Sequence, residues 1–151
     1  LADAVAAEIA AGTALATITA LNKAVTDAIA ALTAQDVTVS TIVATQDATE
    51  NDDVYLLGSD GGTIDEFGDE GDDAIYIGED AYVINTGDVD DDGDDSVLEI
   101  FLSESTGGDT TVYVETSVFG SSAADQELVE VVLTGVAADD ISLSADGFIT
   151  A

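Results

Sequence analysis

Residues 51–78 read NDDVYLLGSDGGTIDEFGDEGDDAIYIG, and the repetition inside this stretch decides the architecture. NDDVYLLG at 51–58 returns as GDDAIYIG at 71–78, an offset of twenty residues. Both units carry a pair of aspartates, an apolar pair and a closing glycine. The runs VYLL, TIDEF, AIYI and YVIN follow one another at about ten residues, separated by acidic glycine turns. Runs this short, bounded by glycine and aspartate, suit strands better than helices. Together with VTVSTIV at 37–43, they predict a β-roll or solenoid-like region over 37–85.

Downstream, residues 97–150 alternate with period two in VLEIFLS, TTVYVETS and LVEVVLT, then ISLS and FIT across an Asp146-Gly147 turn. Setting Leu98, Ile100 and Leu102 opposite Thr116, Val114 and Val112 centres the first pairing on the TGGD loop. The second pairing centres near Ser121-Ser122 and brings Val129, Val131 and Leu133 onto the same face. One face of an antiparallel sheet over 86–151 is thereby apolar. The other face aligns Glu99, Glu115 and Glu130, with Phe101, Tyr113 and Val132 beside them. Like charges opposite each other are unfavourable by roughly 0.2–1 kcal/mol per pair. We therefore expect this face to meet a cation, solvent, or a neighbouring subunit, and these six residues are the candidate interface.

Upstream, Ala2–Ala34 is alanine-rich, with Ile18, Leu21, Val25, Ala28 and Leu32 at alternating spacings of three and four. This predicts a helix, bent or broken at Gly12-Thr13, whose seam packs either on the protein's own sheet or between subunits. The expected organisation is a helical segment at 1–36 and an acidic β-rich domain at 37–151. The predicted fold class is mainly β with an N-terminal helix, in which solenoid-like acidic turns precede an antiparallel sheet.

The chain has 151 residues and a formal net charge of -32, with Lys23 its single cation. Long-range repulsion excludes nucleic acid and anionic bilayers as partners. Yet 46% of the residues are apolar, too many for a disordered acidic tail. There is no Cys, His, Met, Trp or Pro, so disulfides, the usual zinc sites and Ser-His-Asp or Cys-His catalysis are all ruled out. Paired carboxylates, the glycosidase device, occur by chance in so acidic a chain, and an enzyme is not expected. The stretch Ile9–Leu21 is too short and too polar to span a bilayer.

The acid is clumped: residues 1–46 hold four carboxylates, 47–95 nineteen and 96–151 ten. Salt adaptation would spread it over every exposed face, whereas clumping favours specific cation loops. Residues 88–99, DVDDDGDDSVLE, match the calcium-loop pattern DxDxDGxxxxxE. Glu99 lies inside a strand and Asp95 occupies a position that is usually apolar, so a helix-flanked EF-hand is not expected. A strand-flanked loop remains, with Asp88, Asp90, Asp92, Asp94 and Glu99 as candidate ligands, or else a solvated loop. The turns at Asp52-Asp53 and Asp72-Asp73 are further candidates. All-oxygen ligands on irregular loops suit calcium best.

Gly71, Asp73 and Ile75 resemble the GGxGxDxUx unit of the repeats-in-toxin family, whose parallel β-rolls bind calcium between turns. Asn51, Asp53 and Tyr55 fit less well, and the double glycine at Gly61-Gly62 is out of phase. The stretch from YVINTGD through LEIFLSES, TTVYVETSVFGS and VVLTGV to ISLSADGFIT is similar to the C-terminal regions of bacterial cell-surface proteins exported by type I secretion. In that family an uncleaved terminal signal often ends in an acid followed by apolar residues, which Asp146, Phe148 and Ile149 match; a plain terminal hairpin explains them equally. The resemblance implies an extracellular or cell-surface structural protein, calcium-binding and self-assembling into a surface layer or filament as a homo-oligomer or polymer. The alternatives are a calcium-dependent adhesin stacking a cell-surface glycan on Tyr55, Tyr76, Tyr82 or Tyr113, or a pilin-like filament subunit.

Overall fold

The computed structural model describes residues 2–78, 82–89, 91–120 and 128–151, with the backbone alone for 2–12. The fold is mainly β with one N-terminal helix, and it contains a solenoid-like arrangement of about three turns. The chain divides into two compact units, Leu1–Asp36 and Val37–Ala151.

The first unit is helix α1 (Ala2–Thr33), which runs unbroken through Gly12. One glycine costs a helix only about 1 kcal/mol relative to alanine, and the surrounding alanines are the best helix formers. Four threonines fold their hydroxyls back onto carbonyls one turn earlier, as Thr19 Oγ1 does to Leu15 O at 2.9 Å. Lys23 Nζ clasps both carboxylate oxygens of Asp27 at 2.8 and 2.6 Å, the spacing of four that places partners on one helix face. Left-handed Asp36 (φ 62°) then turns the chain.

The second unit contains two sheets. In the first, β1 (Thr38–Thr41), β3 (Asp53–Leu56) and β5 (Ala74–Tyr76) are parallel, and β11 (Phe148–Thr150) and β10 (Ser142–Leu143) extend the order to β1-β3-β5-β11-β10. The second sheet has the order β2-β4-β9-β8-β7-β6, built from β2 (Thr45–Asp47), β4 (Gly62–Asp65), β6 (Tyr82–Asn85), β7 (Leu98–Glu104), β8 (Thr110–Glu115) and β9 (Leu128–Leu133). The chain passes from β1 to β2 and from β3 to β4, so each solenoid turn contributes one strand to each sheet. The offset of twenty is visible in the register, which pairs Val54 with Ala74 and Leu56 with Tyr76. Gly71 is required where one turn crosses the next: its φ is +81°, and a Cβ there would lie 2.5 Å from Asn51 O.

Apolar side chains of both sheets form one core, including Tyr55, Ile75 and Ile149 from the first and Ile64, Val112 and Leu133 from the second. Glycine turns thus bring every second residue of short strands to a common interior, which is what sets the faces described next.

Candidate cation-binding carboxylates

The predicted β7–β8 register is present: Ile100 pairs with Val114, Phe101 with Tyr113 and Leu102 with Val112. Strand β9 is displaced by two residues from the expected alignment. Glu130 pairs with Tyr113, Val132 with Thr111, and Glu115 with Leu128, so the three glutamates do not form one straight row. A two-residue shift keeps every side chain on its face, which is why alternation alone does not distinguish the two alignments. The loop near Ser121-Ser122 lies outside the described residues.

The outer face is not the open surface expected of it. Glu99 and Phe101 are buried, and Glu115 has no exposed area at all, whereas Glu130 is exposed and Tyr113 and Val132 are half-buried. Three of the six candidate interface residues are therefore enclosed within the protein. The reason is topological. Strands β6 and β7 are adjacent and parallel, so residues 86–97 make a crossover and not a hairpin. Part of that acidic loop lies beside the outer face, where Gly87, Asp88 and Val89 line a shallow pocket with Phe101 and Tyr113.

The loop's carboxylates fold back on its own main chain. Asp92 Oδ2 accepts the Asp88 N–H at 2.8 Å, and Asp94 Oδ1 accepts the N–H and hydroxyl of Ser96 at 2.9 and 2.6 Å. The two Ser96 donors, hydroxyl first, hold the Asp94 carboxyl below the usual carboxylate range. Glu99 anchors the base: its Oε1 accepts Asn85 Nδ2 at 2.7 Å and its Oε2 accepts the Asp94 N–H at 2.6 Å. Asp90 lies outside the described residues. Among the described residues, no three acidic side chains converge closely enough to hold a metal ion, so a cation at this loop would draw on carbonyl oxygens as well.

Glu115 is the residue whose situation sequence reasoning missed, because acidity ordinarily predicts exposure. Its Oε2 accepts the Glu99 N–H at 2.8 Å, while its Oε1 is buried with no hydrogen-bond partner among the described residues. Burial pushes its carboxyl above the ordinary range and the Glu99 charge adds to that, opposed by the Glu99 N–H.

The predicted turn aspartates separate into two kinds. Asp53 and Asp73 are buried and form a ladder. Asp73 accepts the Asp53 N–H at 3.0 Å and the Gly68 N–H at 2.9 Å, and Asp53 accepts the Thr49 N–H at 2.7 Å. Burial raises the Asp73 carboxyl, and the two N–H donors oppose the shift. Asp52 and Asp72 are exposed, with Asp52 Oδ1 accepting the Asp72 N–H at 3.0 Å. Tyr55, a candidate glycan stacker, is buried beside this ladder; its burial and the charges of Asp53 and Asp73 raise its hydroxyl above the usual phenol value. Tyr76, Tyr82 and Tyr113 are half-buried. One further acidic pocket, lined by Glu50, Glu66, Asp69 and Glu70, sits at the turns; its signal was the run DEFGDE at 65–70.

On α1, Leu15, Ile18, Leu21, Val25, Ile29 and Leu32 are all exposed, from 37% to 65%. At 100° per residue they fall in one arc, with the Lys23–Asp27 pair on the opposite side. Because the helix is continuous, Thr13–Thr33 is long and apolar enough by length and composition to cross a membrane, further than the shorter stretch Ile9–Leu21 suggests. Comparison of the chain with protein-family models, curated proteins and solved structures found no match to any of the three.

Proposed function

We propose that this is a secreted, calcium-binding structural protein that self-assembles into a surface layer or extracellular filament. The observation that carries the reading is the exposed stripe on α1. In a chain of net charge -32, residues 13–33 carry one lysine and one aspartate and hence no net charge, and the large apolar side chains share one face. Two copies repel each other elsewhere but not along residues 13–33, and burying the stripe between copies removes it from water. The acidic β-domain supplies the calcium dependence: residues 37–151 contain no basic side chain, so compensation for their carboxylates comes from solution.

Light scattering of the full chain across a calcium titration tests this, with chelator, and with magnesium and sodium at matched ionic strength. Calcium is expected to raise the mass to large assemblies, and Val25→Lys to reduce self-association at least about tenfold, or roughly 1.4 kcal/mol. An unchanged monomer in all conditions contradicts the reading.

A second reading makes α1 a membrane anchor, favoured by the length and composition of Thr13–Thr33. Against it, Lys23 lies at the middle of that span with Asp27 one turn on, and a charge there costs about 2.5–3.5 kcal/mol on insertion scales. Flotation with neutral vesicles separates the two readings.

A further inference from the structure

We propose that Glu99 and Glu115 form the anchoring pair of a calcium site at the base of the β6–β7 crossover, roofed by the loop 86–97. This rests on the calcium-binding reading above and names where that ion is held. The observation independent of the acidic loop comes from the neighbouring strand β8. Glu115 is fully buried, and its Oε1 has no hydrogen-bond partner among the described residues. A buried carboxylate oxygen without a donor is costly, and native structures supply a partner.

A basic side chain, a proton, an ordered water or an external cation can compensate such an oxygen. Residues 37–151 contain no Lys, Arg or His, which removes the first. A proton on Oε1 turns an unpartnered acceptor into an unpartnered donor, so it removes charge without completing the hydrogen bonding. Both carboxylate oxygens of Glu99 accept N–H donors, from the Asn85 amide and the Asp94 main chain. Its N–H in turn fixes Glu115 Oε2 at 2.8 Å, leaving Oε1 as the free ligand. A cation answers both the like charges and the unpartnered oxygen.

Calcium fits this surround better than magnesium. The oxygens beside Glu99 are irregularly placed, with Asp92 O sharing the Asn85 Nδ2 donor with Glu99 Oε1, and calcium accepts irregular all-oxygen coordination where magnesium demands a regular octahedron. The tyrosine Tyr82 donates its hydroxyl to Glu115 O at 3.3 Å, which places a sensitiser for terbium, a luminescent calcium substitute, beside the site.

The test measures calcium stoichiometry by equilibrium dialysis, and terbium luminescence excited through tyrosine, on the full chain. Wild type, Glu115→Gln, Glu99→Gln, Tyr82→Phe and the exposed-control variant Asp139→Asn are compared. Glu115→Gln and Glu99→Gln are each expected to lose one calcium per chain or weaken it roughly tenfold or more. Tyr82→Phe is expected to lose luminescence while calcium binding persists, a readout that survives even where a glutamate variant fails to fold. Asp139→Asn is expected to match wild type. If wild type binds calcium and assembles, but Glu115→Gln binds equally well and Tyr82→Phe retains its luminescence, this assignment is overturned while the functional reading stands. If wild type binds no calcium, both fall.

Discussion

Among the described residues, two pairs of buried acids sit in this domain, and they are handled in opposite ways. In the Asp53–Asp73 ladder, main-chain N–H groups of Thr49, Gly68 and Asp53 point at the carboxylates, so the solenoid turn itself compensates the burial. In the Glu99–Glu115 pair one oxygen has no donor among the described residues. The difference follows from the backbone. Turns leave N–H groups such as those of Thr49 and Gly68 free to point inward, whereas most strand N–H groups are committed to pairing between strands, with Asp53 and Glu99 near the starts of β3 and β7 as exceptions. Acid placed at a solenoid turn can therefore be structural without help. Within the sheet, Glu99 finds donors on the neighbouring loop and strand, whereas Glu115 Oε1 finds none among the described residues.

The largest test of this contrast is Asp73→Ala, which leaves the Asp53 and Gly68 N–H groups without their acceptor. At about 1–3 kcal/mol for each buried unpaired donor, a loss of about 3 kcal/mol is expected in urea unfolding, with or without calcium. Sensitivity to calcium in that loss breaks the contrast, because the ladder is self-sufficient here.

Glu115→Gln is expected to act in the other direction when calcium is chelated. Removing a buried charge beside Glu99 raises stability by about 1 kcal/mol, and calcium abolishes or reverses the gain. A destabilised variant in chelator shows that the glutamate is already compensated within the fold.

The pH dependence in chelator sharpens the same point. Glu115 and Asp73 have folded pKa values raised above their unfolded ones, so each contributes stability that is fully present below the unfolded value and lost as pH rises through the folded one. Stability should thus increase on acidification from neutrality towards about pH 4. The Glu115 share is the part that vanishes in Glu115→Gln, which separates it from the general relief of self-repulsion. A wild-type and variant profile that run parallel over this range contradict it.

The smallest effect is expected at the exposed end of the loop. Ser96→Ala removes the hydroxyl donor to Asp94 and leaves the main-chain N–H, and the change in unfolding free energy should stay within about 0.5 kcal/mol, because Asp94 is exposed to water. A larger loss means that the loop's surface turns, and not its base, hold the crossover in place.

Much of the fold was legible because short apolar runs and glycine turns are strong local signals: the solenoid repeat at 51–78 and the β7–β8 register can both be read directly. Strand β2, Thr45–Asp47, was not, since TQD has no apolar residue and is held by pairing with β4. Neither was the crossover. A loop between two strands reads alike whether they end up parallel or antiparallel, and the strand order that decides it is a long-range property. The carboxylates of the loop were visible in DVDDDGDDSVLE, but the importance of Glu115 was not. It comes from a strand sixteen residues beyond Glu99, and its burial depends on what the crossover covers.

Hydrogen exchange of backbone amides, with calcium and with chelator, tests the contrast most directly. Calcium is expected to increase protection at Asp94 and Glu99, whose N–H groups bind the Glu99 and Glu115 carboxylates, while Thr49, Asp53 and Gly68 stay equally protected in both conditions. Equal gains in both groups, or a gain confined to the ladder, would contradict the account.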